Sequence, residues 1–299
     1  MALLIITTIL WAFSFSLIGE YLAGSVDSYF SVLMRVGLAA LVFLPFLRTR
    51  GQSPRTIVLY MLVGAMQLGI MYLLAFRAYL YLTVSEFLLF TVFTPLYITL
   101  IYDLLSGRKL RWGYLLSAAL AVLGAAIIRY DKVSDHFWTG LLLVQLSNLC
   151  FAIGMVGYKR LMEVRPMPQH NAFAWFYVGA FIVAVAAWFM LGNPQKLPTT
   201  TLQWSVLVWL GVVASGLGYF MWNYGATQVD AGTLGIMNNV HVPAGLLVNL
   251  AIWQEQPHWP SFISGALVIL ASLWVHRRWV APHSGQTADD RRHGSAQSE

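Results

Sequence analysis

Two charged residues stand inside long apolar runs of this chain, Arg35 and Glu86. An ion in hydrocarbon is costly, so such groups pair, reach water or serve a site. Arginine keeps its charge and presents a planar fork suited to a carboxylate. Arg35 is therefore a candidate to meet an anionic substrate group. Its structural alternative is an ion pair, or a head group that snorkels to the outer surface. Glu86 is a candidate proton-coupling or gating carboxylate. Its alternative is an acidic residue at a helix start, which the helix dipole favours. The expected helices put the two at similar depth, where they could pair.

Neutral polar residues extend this set. Asn238, His241, Gly245 and Asn249 recur at spacings that place them on one helical face. Asn148 follows Gln145 by three residues, and Tyr219, Trp222 and Asn223 cluster further on, with Gln67 and Tyr72, and Trp11, Ser14 and Ser16, earlier in the chain. Taken singly, each is most simply an interhelical hydrogen bond that holds a bundle together. Taken together, Arg35, Glu86, Asn148, Tyr219, Trp222, Asn223, Asn238 and His241 form the expected substrate-binding set. His241 is also a residue able to titrate near neutrality, with a hydrogen-bonded neutral imidazole as its alternative.

Other chemistries lack their residues. The sequence has no paired-carboxylate spacing, no HExxH, no P-loop and no nucleophile elbow, so neither an enzyme nor a nucleotide-driven pump is expected. Its one cysteine, Cys150, excludes a disulfide within the chain and argues against a thiolate metal cluster. No metal or cofactor is expected. The net charge of +6 resides mainly at the ends of apolar runs and is not a nucleic-acid signal.

The elements that must carry these residues follow from composition. Of 299 residues, 59% are hydrophobic and 10% charged, against about 25% charged in soluble domains. The apolar residues fall in runs of about 20, the length that crosses a bilayer as a helix. The runs predict helices near 2–22, 29–47, 57–76, 83–103, 112–130, 138–158, 171–192, 204–224, 232–253 and 259–276. Breaks between them carry charge or turn signals such as Asp27, Arg48-Thr49-Arg50-Gly51, Ser106-Gly107 and Asn193-Pro194. The first run lacks a basic leader and an evident cleavage site, so it is expected to be a span and not a signal peptide. Pro95 and Pro243 fall near mid-span and are expected to kink their helices. Gly64, Gly69, Gly211, Gly216 and Gly218 allow helices to approach closely.

Basic residues mark cytoplasmic loops. With the N-terminus inside, the cytoplasmic segments hold Arg48, Arg50 and Arg55, then Arg108, Lys109 and Arg111, then Lys159, Arg160 and Arg165, and finally Arg277, Arg278, Arg291 and Arg292. The outer segments hold only Arg77, Arg129, Lys132 and Lys196. The bias supports an even number of spans with both termini cytoplasmic.

The halves also repeat at an offset of about 147. Ser117-Ala-Ala-Leu-Ala-Val-Leu recurs as Ser264-Gly-Ala-Leu-Val-Ile-Leu, Trp112 falls on Trp259, and Tyr72 falls on Tyr219. Five helices per half is an odd number, so the second copy enters the membrane inverted, the plan of many secondary transporters whose site lies between the halves. The expected fold is thus an all-α membrane protein of ten transmembrane helices in two inverted five-helix repeats. The repeats are residues 1–130 and 131–281, followed by a disordered cytoplasmic tail at 282–299.

Trp11, the stretch Phe30 to Arg35, the mid-helix prolines and the loop Gly107-Arg108-Lys109-Leu110, set in this two-half layout, resemble the drug/metabolite transporter superfamily, EamA type, over residues 2–276. Within that family, WTGLLLVQLSN, RPMPQHNAFAWFY, GYFMWNYGATQVDAGTLGIMNN, HVPAGLLVNLAIW and the tail QTADDRR are similar to biotin transporters of bacterial inner membranes. Gln254-Glu255-Gln256-Pro257 departs from the family pattern in its loop. The resemblance implies biotin uptake and brings no established binding residues. Biotin suits the residues without being singled out by them. An arginine meets its carboxylate, asparagines its ureido edge and tryptophans its ring, but an amino acid could use the same groups. Protons are a candidate coupling ion. The alternative function is export of amino acids or related metabolites.

Overall fold

A computed structural model describes residues 2–105, 135–229 and 244–254, with isolated positions at 120, 123, 237, 238, 240 and between 259 and 274. Among the described residues every regular element is helical. Seven helices are long and apolar enough to cross a membrane: α1 (Ala2–Tyr21), α2 (Ser28–Phe46), α3 (Pro54–Ala78), α4 (Val84–Tyr102), α5 (His136–Val164), α6 (Gln169–Leu191) and α7 (Thr201–Thr227). A shorter apolar helix, α8, covers Ala244–Trp253. These elements fall on the expected first to fourth and sixth to ninth spans. The expected fifth span, most of the tenth, Pro243 and His241 lie outside the described residues.

The chain divides into two compact units, one of Met1–Pro95 with Ser134–Gln256 and one of Leu96–Val133 with Pro257–Glu299. The first holds α1 to α3, the start of α4 and α5 to α8, and it contains all the interactions described below. The second is represented by the remainder of α4 and isolated later positions.

The helix starts are written in the sequence. Asp27 caps α2 by accepting from Phe30 N at 2.9 Å, and Ser53 precedes Pro54 at the start of α3 and accepts from Thr56 N. Thr83 with Glu86, and Thr200 with Gln203, form reciprocal capping boxes on α4 and α7. Each box satisfies backbone donors that a helix start leaves open. Gly51, in the turn before α3, has φ of 80°, a conformation that favours glycine. On the outer faces Leu41, Leu62 and Ile182 are 62%, 59% and 53% exposed. Such side chains suit lipid.

Close packing fixes α3. A Cβ added at Gly64 would lie 1.9 Å from Phe176 O of α6, and one at Gly179 of α6 would lie 1.9 Å from Met61 O. On the other side, a Cβ at Gly154 of α5 would lie 2.1 Å from Gln67 Cβ. Backbones meet there without intervening side chains, as helices in lipid commonly do at small residues.

Two of the membrane-length helices widen locally, and the shorter α8 does so over Asn249–Trp253. α3 becomes a π-helix over Ala65–Ile70, and α7 does so over Leu210–Leu217. At the offset of 147 these segments coincide, as do Gly64 with Gly211, Gly69 with Gly216 and Tyr72 with Tyr219.

Candidate functional site

Three interruptions of helical geometry shape one cavity. The first is in α4, where a turn at Val92 and Phe93 separates Val84–Thr91 from the helix that resumes at Thr94. Pro95 has no N–H to donate to the carbonyl four residues back. That carbonyl, Thr91 O, instead accepts from Thr94 Oγ1 at 2.7 Å. Phe90 O, also at the break, accepts from Asn148 Nδ2 at 2.9 Å and from Gln145 Nε2 at 3.3 Å, both on α5.

The second interruption is the π segment of α7. An extra residue in the turn displaces carbonyls from their usual donors, and neighbouring side chains supply replacements. Trp11 Nε1 donates to Ala214 O at 3.0 Å. Tyr177 Oη donates to Ser215 O at 2.7 Å and to Gly216 O at 2.9 Å. The segment also turns the Ser215 hydroxyl toward Arg35.

The third is the matching π segment of α3. Its Gln67 donates from Nε2 to Asn223 Oδ1 at 3.1 Å. Tyr72 follows one turn later.

Arg35, on α2, is 2% exposed and lines the cavity. Its Nε donates to Ser215 Oγ at 3.0 Å and its Nη2 to Tyr72 Oη at 2.7 Å, while those two hydroxyls lie 2.9 Å apart. The guanidinium carbon stands 4.2 Å from the Tyr72 ring centroid, a cation–π contact. Nη1 makes no hydrogen bond, and among the described residues no carboxylate lies within ion-pair distance. A buried charge normally takes a partner of opposite sign. Here hydroxyls and an aromatic face hold the cation, and its net charge is not neutralised.

Aromatic rings form the middle of the wall. Tyr219 packs 4.7 Å from Trp11 and 5.7 Å from Tyr72, and Phe151 lies 6.2 Å from Tyr219, all between ring centroids. Gly218 leaves room for the indole, since a Cβ there would lie 3.0 Å from Trp11 Nε1. Asn148, Asn238, Ser147, Thr91 and Thr94 add polar groups to the same wall. Asn238 is 1% exposed, and neither end of its side-chain amide makes a hydrogen bond. Asn148 commits its Nδ2 to Phe90 O and Gln145, which leaves Oδ1 without a hydrogen bond. The empty space amounts to about 670 Å³, including that continuous with the outside.

Of the residues expected from sequence, Arg35, Asn148, Tyr219 and Asn238 share this cavity. Trp222 and Asn223 stand behind it, both fully buried. Trp222 donates to Met155 Sδ at 3.4 Å and packs 5.0 Å from Trp11, while Asn223 joins Gln67 to Tyr219 O. Glu86 closes its capping box, accepting from Thr83 N at 2.9 Å, and makes no ion pair with Arg35. His241 lies outside the described residues. Of the stripe expected with it, Gly245 packs on Leu88, and Asn249 donates to Ser85 Oγ at 3.4 Å. That face thus lies largely on α4, with Asn238 reaching the cavity. Tyr79, Phe87, Thr91, Thr94 and Ser147 also line the space and were not singled out from sequence. The signal for the two threonines was their place beside Pro95.

Membrane-length helices around a cavity lined by a buried cation, amides and aromatic rings mark a multi-pass membrane transporter. The chain belongs to the EamA-like transporter family, which matches residues 1–130 and 138–277. It is 83% identical, over the full length of both chains, to the "Biotin transporter" of Escherichia coli strain K12. It is 56% identical to the "Probable biotin transporter" of Pseudomonas aeruginosa PAO1 over 93% of this chain and 97% of that one. A crystal structure 17% identical in sequence aligns with a TM-score of 0.64 over 92% of this chain and 95% of its own, a likeness of fold.

Proposed function

We propose that this transporter takes up biotin across the inner membrane and binds the biotin carboxylate at Arg35. The observation that carries the reading is a buried guanidinium in an aromatic cavity with no carboxylate beside it. A monocarboxylate substrate supplies the missing charge. Trp11, Tyr219 and Phe151 offer apolar faces to the rings of the substrate. The names of the Escherichia and Pseudomonas relatives support biotin among carboxylates. In this reading Trp222 and Asn223 brace the binding wall, and Glu86 sets the start of α4.

The fold we propose has ten spans in two inverted halves, with both termini cytoplasmic. The two matches to the family, the coincident π segments and the distribution of basic residues support it. A proton gradient, or trapping of biotin after entry, is the proposed driving force.

Labelled-biotin uptake into proteoliposomes tests the function, with and without a proton gradient. Wild-type protein should accumulate biotin saturably. Arg35→Ala, at equal abundance, should raise the half-saturating concentration about tenfold to a hundredfold, the worth of a charge-assisted hydrogen bond. An unchanged value rejects the carboxylate role.

A further inference from the structure

One amide on the cavity wall stands apart. The Asn238 side chain is 1% exposed, lines the cavity and has no hydrogen bond among the described residues. Burying a polar group without a partner is destabilising, so an unpartnered amide facing empty space is a group kept for a ligand. Asn148 adds a second open valence of known polarity. Phe90 O and Gln145 hold its NH2 end, which fixes the amide in one sense and leaves Oδ1 as a free acceptor. Tyr79 Oη is a further unpartnered group on the wall among the described residues, whereas three hydroxyls there are occupied. Thr94 donates to Thr91 O, Thr91 to Leu88 O and Ser147 to Met71 O.

Resting on the transport reading above, we propose that Asn238 and Asn148 are the residues that recognise the urea ring of the substrate and so set specificity. A urea edge offers one carbonyl acceptor flanked by N–H donors. Asn148 Oδ1 accepts from an N–H. Asn238 donates from Nδ2 to the carbonyl and has Oδ1 available for a second N–H. Arg35 takes the carboxylate, and Trp11, Phe151 and Tyr219 face the apolar body between. The two asparagines set specificity, whereas Arg35 accepts any carboxylate that reaches it.

Two ligands separate these parts. Desthiobiotin keeps the urea and the carboxylate chain and lacks the sulfur ring. Lipoate keeps a valerate carboxylate and a sulfur ring and lacks the urea. In proteoliposomes containing the full-length wild-type chain, desthiobiotin should compete with labelled biotin within about threefold of unlabelled biotin. Lipoate should be weaker by about a hundredfold or more, because a site built for hydrogen bonds rejects analogues that leave its polar groups unpaired. Asn238→Leu should raise the half-saturating biotin concentration about tenfold and leave the inhibition constant of lipoate unchanged.

Lipoate competing as well as desthiobiotin overturns the proposal. So does an Asn238→Leu protein, present at wild-type abundance, that takes up biotin with unaltered half-saturation. The competition series uses wild-type protein alone and decides the question even if the variant fails to accumulate. Absence of saturable biotin uptake by the wild-type chain overturns the transport reading and this proposal with it. Saturable uptake without discrimination for the urea overturns this proposal alone.

Discussion

Arg35 is held by two hydroxyls and an aromatic ring, and that arrangement separates its structural role from its functional one. A buried charge without a counter-ion is costly to desolvate and is not compensated by an ion pair, so its removal need not weaken the fold. Arg35→Met should therefore unfold in detergent at the wild-type temperature or above it while losing biotin uptake. A large fall in melting temperature would assign Arg35 to the scaffold. Glu86 makes the opposite case. Glutamine can also close a capping box, so Glu86→Gln should transport at near the wild-type rate, whereas Glu86→Ala should lose about 1 kcal/mol of stability. Loss of proton-driven uptake in Glu86→Gln at full abundance would reinstate a coupling role. Sequence singled out Arg35 because a lone charge in an apolar run is conspicuous. It did not separate Asn238, which faces the cavity, from Asn223, which faces Gln67. Both are amides in apolar helices, and only the neighbouring helix decides which finds a partner.

At the scale of elements, helix starts and the proline break were legible and the π segments were not. Asp27, and Thr83 three residues before Glu86, announce their caps through local hydrogen bonds. Pro95 announced a kink, and the break in α4 stands just before it. The π segments of α3 and α7 have no such local marker. In α7 the displaced carbonyls are taken by Trp11 and Tyr177 from distant parts of the chain. The glycines around these segments were legible as close contacts, but not by how much. At Gly64 even a methyl group meets a backbone carbonyl that cannot rotate away. Gly64→Ala should force α3 and α6 apart and cost about 1–3 kcal/mol. Thermal unfolding followed by size-exclusion fluorescence measures this, and an unchanged midpoint would show that the contact relaxes freely.

For the whole molecule, apolar run length located eight of the ten expected spans where α1 to α8 lie, because hydrocarbon thickness constrains every spanning helix alike. Partition into halves is a proposal read from repeated residues, and the π segments of α3 and α7 overlap at the same offset of 147. Topology remains a prediction at this scale. A reporter that folds only in the cytoplasm should be active when fused after Val280 and also when fused after Arg165, and inactive after Lys132. Activity after Lys132 would overturn the orientation.

The uncompensated cation has one more consequence, and it concerns voltage. If a monocarboxylate binds at Arg35 as proposed, it neutralises the cation, whereas in the empty cavity no described carboxylate does so. A transporter that exposes its site to alternate sides then shifts net charge through the membrane field in the empty form and almost none in the loaded form. A unit charge crossing the whole field feels about 2.3 kcal/mol per 100 mV, and a shorter path feels its share. Return of the empty carrier is thus the step that membrane potential can speed or slow. On solid-supported membranes a potential step should evoke a transient charge movement from wild-type protein. Saturating biotin should suppress it, and Arg35→Met should abolish it. A transient that persists in Arg35→Met would place the moving charge elsewhere.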